Sequence, residues 1–209
     1  ISSFIRDSRQ HAGPTRKKAG ATRVPPADNS HELENSMIAQ DTLVSFIRFI
    51  EETEQLKSTL RSAWTATGRH ESTAEHTWRL ALFASLFQPF YPELDWPKTR
   101  LMCLIHDLGE LYGGDAYAVE KVFGLLPPDT GKRYLAIWQE YNDNAIPEAH
   151  LVKALDKAET ILQHTQGKNP DGFDYAFNLE YGKTLFGDGG PLSALRKLLD
   201  ERTAGKIGK

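Results

Sequence analysis

The chain has 209 residues, of which 40% are hydrophobic and 25% charged, a composition close to the average for a globular domain. No apolar run approaches bilayer length and no charged-then-apolar leader opens the sequence, so no membrane association is expected. The single cysteine, Cys103, excludes an internal disulfide and favours a reducing compartment, which we take to be the cytoplasm.

The net charge of −3 is unevenly distributed along the chain. Residues 1–24 carry a balance of +5, so the remaining residues carry −8. A body this acidic is a poor binder of the nucleic-acid backbone, and polymeric nucleic acid is therefore not expected as a partner. Small phosphate compounds remain suitable ligands if a metal ion and a few placed cations neutralise their charge.

The first 36 residues lack helical or strand periodicity and are rich in Gly, Pro, Ser, Arg and Lys. We interpret 1–36 as a disordered extension that need not be native, with Met37 as a natural start, and 37–209 as one folded domain. The alternative for the extension is a basic arm that grips an acidic partner.

Apolar residues recur at helical spacing from near Asp41, which predicts a first helix that continues to Arg61. An irregular segment, 62–71, follows. Ser72 then serves as the N-cap of a second helix, and the glutamate three residues later completes a capping box. His76 lies in the first turn of this helix, a well-fixed position.

A third helix is predicted to begin at 95–97, where an aspartate, a tryptophan and a proline follow one another, and to end at Gly113. It contains three polar residues that matter below: His106, Asp107 and Glu110. Because its other residues are mostly apolar, this helix is predicted to be buried.

Three more helices are predicted, one near 130–142, one that begins at Pro147 and contains Asp156, and one that begins at Pro191. There is little strand signal and no internal repeat. The sequence therefore predicts an all-α fold, a compact helical bundle whose site is built from inward side chains on several helices.

His106 and Asp107 are adjacent, metal-capable side chains within the apolar run 101–110. Burying them without partners would cost on the order of several kcal/mol. A divalent cation satisfies an imidazole and a carboxylate together. His76 and Asp156, on two other predicted helices, are candidates for the missing ligands. Taken singly, each also has an ordinary explanation as a hydrogen-bonded structural histidine or a surface aspartate.

The chain resembles the HD-domain superfamily of metal-dependent phosphohydrolases in three segments that occur in the family's order: ESTAEHTWRLAL at 71–82, LIHDLGE at 104–110 with Gly114-Asp115 after it, and KALDK at 153–157. Within the superfamily it is similar to the branch of bacterial 5′-deoxynucleotidases and related HD hydrolases. The resemblance covers about 40–165. It implies a helical bundle of the HD-domain type with a metal site between helices.

The resemblance also implies roles for individual residues. One divalent cation (Mn, Co, Mg, Fe, Ni or Zn) is expected to have four protein ligands: His76, His106, Asp107 and Asp156. Glu110 and Asp115 are expected to be catalytic, near the metal-bound water and the sugar. Arg61 matches an arginine that grips the phosphate. The nucleotidase pattern places a tryptophan directly after this arginine; here the nearest is Trp64, which is the candidate for stacking on the base.

The expected reaction is removal of phosphate from nucleoside 5′-monophosphates, deoxyribonucleotides favoured, or from similar small phosphomonoesters by attack of a metal-bound water. Other HD-domain chemistry is the alternative: a nucleoside triphosphohydrolase, a cyclic-nucleotide phosphodiesterase or a di-iron oxygenase, although no extra histidine adjoins the HD pair. A third reading is a non-enzymatic binding module with a structural metal. A homodimer remains open, since the leucine stripe 192–199 suits either a partner copy or its own bundle.

Overall fold

The structure, a computed structural model, describes residues 30–113 and 116–208 and consists mainly of helices. The α-helices of these ranges are α1 (Ser30–Thr53), α2 (Thr73–Leu86), α3 (Trp96–Ile105), α4 (Ala116–Phe123), α5 (Pro128–Asp143), α6 (Pro147–Gln166) and α7 (Gly190–Ala204). Short 3₁₀ turns occupy Glu54–Lys57, Gln88–Phe90, Leu108–Tyr112, Ala176–Leu179 and Lys183–Phe186. The predicted all-α helical bundle is confirmed. Within the described ranges, no helix combines the length and apolarity of a membrane span.

α6 is the central helix of the bundle. It packs against α2, α3, α5 and α7, and residues on most of its circumference are buried, as in a helix with neighbours on several sides. Leu155 of α6 is fully buried in the same apolar core as Leu80 of α2 and Met102 of α3. The three helices that carry the predicted ligands are therefore fixed to one another by the core itself.

The prediction that the first helix reaches Arg61 is wrong. α1 ends at Thr53, and the chain instead forms a small antiparallel sheet from strands β1 (Leu60–Trp64) and β2 (His70–Ser72). The turn between them contains Gly68 at a φ of 89°, a left-handed conformation that favours glycine. These strands are too short and too mixed in polarity to show a clear two-residue period, which explains why no strand was predicted here.

The hairpin is fastened to the C-terminal end of α6. The Gln163 side chain donates a hydrogen bond to the carbonyl of Trp64 at 2.6 Å, and the backbone N–H of Lys168 donates to Thr65 at 2.9 Å. Gly167 ends α6 where predicted, and a Cβ at this position would lie 2.1 Å from the Trp64 carbonyl oxygen. Only glycine allows this close approach of strand and helix.

The prediction of one continuous helix from 95 to Gly113 is also wrong, although its start is confirmed by the N-cap Asp95. α3 ends at Ile105, and a separate 3₁₀ turn follows Asp107 and closes at Gly113 in a left-handed conformation. The indole N–H of Trp138 donates to the carbonyl of His106 at 3.0 Å. In a continuous helix this carbonyl would accept from the backbone N–H four residues later, so α5 supplies the partner that ends α3.

The predicted extension, 1–36, is only partly within the described residues. α1 begins at Ser30, so 30–36 belong to this helix, whereas 1–29 lie outside the described residues and the disorder assigned to them stays a prediction.

The N-terminus of α2 shows the predicted capping box. The hydroxyl of Ser72 accepts from the backbone N–H of Glu75 at 3.3 Å, and the Glu75 carboxylate accepts from the backbone N–H of Ser72 at 2.9 Å. The Arg69 side chain forms an ion pair with the same carboxylate. These contacts fix the first turn of α2, which contains His76.

We predict that Ser72→Ala lowers the free energy of unfolding by about 1 kcal/mol, because it removes the N-cap oxygen. Urea denaturation of the metal-free protein measures this change. Ser85→Ala is the matched control, since the Ser85 hydroxyl bonds only the Ala81 carbonyl within the same helix. Equal losses for both variants would contradict a capping role for Ser72.

Candidate metal centre

Three predicted ligands from three helices meet in the core. His76 of α2, His106 at the C-terminus of α3 and Asp156 in the middle of α6 are all buried, and their ligand atoms lie within 4.8 Å of one another. Asp107 reaches the same place with its Oδ2 atom, which is 3.1 Å from His106 Nε2 and 3.8 Å from His76 Nε2. The arrangement therefore brings together all four residues of the predicted ligand set.

The donor set fits a divalent cation. His76 Nε2 and His106 Nε2 are buried and make no hydrogen bond with any residue that the structure describes, so both atoms need a partner. Asp156 Oδ1 lies 3.2 Å from His76 Nε2. Ligand atoms about 2.1 Å from a common metal and at right angles are about 3 Å apart, close to the spacings seen here. Two imidazoles and two carboxylates suit Mn, Fe, Co, Ni or Zn, and Mg less well.

The outer nitrogens of both imidazoles are engaged, which leaves the Nε2 atoms free for a metal. Nδ1 of His76 donates to Glu159 at 2.6 Å, and Nδ1 of His106 donates to the Cys103 carbonyl at 2.9 Å. Arg79 in turn pairs with Glu159 at 3.2 Å. Carboxylate or carbonyl acceptors behind a ligating histidine fix its tautomer and ring orientation.

Sequence reasoning missed Glu159. Its spacing from Asp156, three residues along α6, was an available signal, because residues at that separation share a helix face.

Asp156 is oriented by two groups on its other oxygen. The Tyr141 hydroxyl donates to Oδ2 at 3.2 Å, and the Lys157 ammonium lies 2.9 Å from the same atom. Oδ1 is left on the side of His76. The alternative interpretation of Asp156 was a surface carboxylate. Asp156 does contact a lysine, but its carboxylate is buried and does not lie on the surface.

In the metal-free protein, the charges around the site determine the protonation states of His76 and Asp156. Burial alone would lower the pKa of His76, but the nearby carboxylates of Asp156 and Glu159 outweigh it and raise that pKa to about 9. Burial would raise the pKa of Asp156, but His76 and His106 lower it further than burial raises it. His76 is therefore protonated at neutral pH in the metal-free protein, and metal binding must release this proton.

Arg61 lies on β1 beside the ligands. Its NH1 group is 3.4 Å from Asp107 Oδ2, its NH2 group donates to Thr160 at 3.1 Å, and its Nε atom is 3.5 Å from Glu71 Oε2. The hairpin, which the sequence did not predict, is what carries this cation to the site. The guanidinium is mostly buried and adjoins a candidate ligand, as expected of a phosphate-binding arginine.

The two predicted catalytic carboxylates have different outcomes. Glu110 accepts a hydrogen bond of 2.7 Å from Thr73, the first residue of α2, so its carboxylate lies at the positive end of that helix. Its predicted α-helical relation to His106 is wrong, because a 3₁₀ turn follows Asp107. Asp115 lies outside the described residues, and its role stays a prediction.

Trp64, the last residue of β1, packs against His70 of β2. Its ring lies 4.0 Å from the imidazole of His70, measured between ring centroids, in a tilted arrangement. His70 also donates from Nδ1 to the Arg61 carbonyl at 2.9 Å. Trp64 and Arg61 are therefore tied together through His70, and the proposed stacking of a base on Trp64 stays a prediction.

Glu71, His76 and Glu159 form a second buried group with donor atoms close enough for a metal. Its two carboxylates already face guanidinium groups, Glu71 that of Arg61 and Glu159 that of Arg79. Burial, followed by the charge of Glu159, raises the pKa of Glu71 to about 7. We therefore interpret this group as the support of the first site and not as a second metal centre.

We predict that Glu159→Gln weakens binding of Mn²⁺ about 10- to 100-fold, because the carboxylate that orients His76 is lost. Competition calorimetry of the two proteins measures the change. Glu180→Gln is the control, since Glu180 is exposed and pairs only with Lys183 in the described part of the chain. If both variants bind the metal as tightly as the unmodified protein, Glu159 does not support the site.

Comparisons with known proteins agree with this geometry. The family model described as HD domain matches residues 53–122 and 116–186. The 5′-deoxynucleotidase HDDC2 of Dictyostelium discoideum is 32% identical over 143 residues, which cover 57% of this chain and 75% of that protein. HDDC2 of Homo sapiens is 28% identical over 156 residues, covering 62% and 76%.

A solved structure is similar over most of the fold. It is the crystal structure of a predicted metal-dependent phosphohydrolase from Magnetospirillum magnetotacticum MS-1, with a TM-score of 0.68 and 27% sequence identity. The match covers 80% of this chain and 95% of the other. With the family model matched over more than half of its length, the chain belongs to the HD domain family.

Proposed function

We propose that the protein is a metal-dependent phosphomonoesterase that acts on nucleoside 5′-monophosphates, with deoxyribonucleotides favoured. The observation that carries the proposal is the convergence of His76, His106 and Asp156, with Asp107 next to both imidazoles, beside a mostly buried guanidinium. The names of the HDDC2 relatives support the choice of substrate, since those proteins are described as 5′-deoxynucleotidases.

We propose His76, His106, Asp107 and Asp156 as the residues that hold the metal. When bound there, a divalent cation acts as a Lewis acid, lowering the pKa of a coordinated water and neutralising phosphoryl charge. Which metal serves in the cell is left to the experiment below.

The chain's own residues bind and orient the ester. Arg61 NH1 makes only a long contact of 3.4 Å with Asp107, at the limit of a hydrogen bond, and a phosphate oxygen offers it a better acceptor. Glu110 accepts the proton of the attacking water, and the hydrogen bond from Thr73 holds its carboxylate in place for this role. Asp115 contacts the sugar or the water, and Trp64 stacks on the base.

The alternatives within the family differ in what they hydrolyse. A nucleoside triphosphohydrolase would use the same ligands, so only turnover distinguishes it, whereas a cyclic-nucleotide phosphodiesterase of the family usually adds ligands for a second metal. An oxygenase needs ligands for a second metal, and the second buried group is occupied by two arginines. A structural metal in a binding module would bind tightly without any turnover.

We predict phosphate release from nucleoside 5′-monophosphates, and not from the corresponding triphosphates or cyclic nucleotides. Metal-free protein should be inactive and should regain activity with one or more of Mn, Co, Mg, Fe, Ni and Zn, because the ligands alone cannot activate water. A colorimetric phosphate assay over ribo- and deoxyribonucleotides checks this and ranks the sugars.

His106→Ala and Asp107→Ala should each lower kcat/KM by at least about 100-fold, whereas His150→Ala should leave it unchanged. His150 is an exposed histidine that bonds Asn144 away from the centre. Full turnover by either ligand variant with its fold intact would disprove the proposal, and triphosphate turnover would move the protein to the alternative chemistry.

We propose a homodimer through the outer face of α1 as the assembly. Leu43, Ile47 and Ile50 recur along this face and are 58%, 58% and 65% exposed. An apolar stripe of this kind on a described surface is typical of an interface. By contrast, Leu199 of the C-terminal stripe is buried, and Leu192 and Leu195 pack with it inside the bundle, which favours the ordinary reading of that stripe. A cytoplasmic location remains a prediction from the sequence.

We predict that Ile47→Glu converts the dimer to a monomer, because it places a charge at the centre of the apolar stripe. Light scattering coupled to gel filtration measures the mass. Leu198→Glu is the matched control, an equally exposed leucine of α7 that should leave the dimer intact. A monomeric unmodified protein would reject the proposed assembly.

A further inference from the structure

We propose that Glu71 is the positioning residue of Arg61, and that with Thr160 it holds the guanidinium in the orientation that binds phosphate. The inference rests on the proposed function, since it concerns how the same site recognises its ester. It follows from the contacts on each nitrogen of Arg61.

The guanidinium of Arg61 is held from three directions. Nε faces Glu71 Oε2 at 3.5 Å, NH2 donates to Thr160 at 3.1 Å, and NH1 lies 3.4 Å from Asp107. Because the guanidinium is planar and its N–H groups form a rigid fork, fixing two nitrogens determines the third. Glu71 and Thr160 are therefore sufficient to aim NH1 at the metal ligands.

The contact with Glu71 is buried and unsatisfied on both sides. Glu71 is only 3% exposed, and among residues 30–113 and 116–208 neither its Oε2 atom nor Arg61 Nε has a hydrogen-bond partner. Each of these two atoms can satisfy the other, because a shift of a few tenths of an ångström brings them to an ordinary hydrogen-bond distance. A buried carboxylate gains little for stability over an apolar residue of similar size, so its presence indicates a functional demand.

The alternative reading gives Glu71 to the metal ligands, because its donor atoms also lie near His76 and Glu159. In that reading, loss of Glu71 would weaken metal binding. In ours, it weakens phosphate binding through Arg61 and leaves the metal in place. The first interpretation therefore predicts a loss of metal affinity, and ours predicts a loss of phosphate affinity.

The test uses Glu71→Gln, which keeps the size of the side chain and removes its charge. With saturating Mn²⁺, we expect KM for a deoxyribonucleoside 5′-monophosphate to rise about tenfold, with a smaller loss in kcat, and Mn²⁺ affinity to stay within about twofold. In an Arg61→Ala background the same substitution should have no further effect, since Glu71 acts through Arg61.

Two further variants complete the comparison. Glu180→Gln is the control, an exposed glutamate whose ion pair is with Lys183. Thr160→Val removes the other contact of the guanidinium and should raise KM in the same way, which preserves the test if Glu71→Gln fails to fold. Thermal unfolding monitored by circular dichroism establishes that each variant is folded.

Binding of inorganic phosphate to the Mn²⁺-loaded protein, measured by calorimetry, separates this inference from the proposed function. If the protein binds phosphate, and Glu71→Gln weakens that binding about tenfold, the inference holds even where no ester is hydrolysed. Equal effects of Glu71→Gln with and without Arg61, a loss of Mn²⁺ affinity in place of phosphate affinity, unchanged phosphate binding, or no phosphate binding at all would each overturn it.

Discussion

The candidate metal centre depends on two buried imidazole nitrogens, Nε2 of His76 and Nε2 of His106. Neither has a hydrogen-bond partner in the part of the chain that the structure describes. Unpaired polar atoms in a core are costly, so a fold keeps them only where something else satisfies them. Here the carboxylates of Asp107 and Asp156 approach the same point as the two imidazoles. The hydrogen bond from Tyr141 holds the Asp156 carboxylate in this position. The packing of α2, α3 and α6 thus forms a candidate site for a cation.

Around this point the charges are arranged in pairs that extend outward. His76 is supported by Glu159, and Glu159 by Arg79, while Asp156 is supported by Lys157. Each outward partner is more exposed than the group it supports, so the last charge of each series reaches water and the buried ones do not stand alone. Arg61 is the exception, because its partners are all buried or half-buried and its NH1 contact is long. It is the cation best placed to accept a new anion.

Much of the ligand set could be predicted from the sequence because its signals are local. The HD pair lies in an apolar run, the Ser72 cap fixes the turn that holds His76, and the residues of each helix are close in sequence. The supports could not be predicted in the same way. Glu71 and Arg61 meet only because a hairpin forms, and its strands are too short for periodicity to reveal them. Such contacts join residues distant in the chain, where propensity carries no information.

The break in α3 shows how tertiary contacts override a helical pattern at the site. By sequence alone, 95–113 has the apolar periodicity of one helix, and the single Gly109 between Ile105 and Gly113 is a residue that a helix tolerates. The indole of Trp138 binds the carbonyl of His106, and the chain turns there instead of continuing. Two adjacent residues of a regular helix point about 100° apart, so they could not easily share one metal. Here the 3₁₀ turn begins directly after the pair, and Asp107 Oδ2 lies 3.1 Å from His106 Nε2. The end of the α-helix therefore coincides with two adjacent candidate ligands.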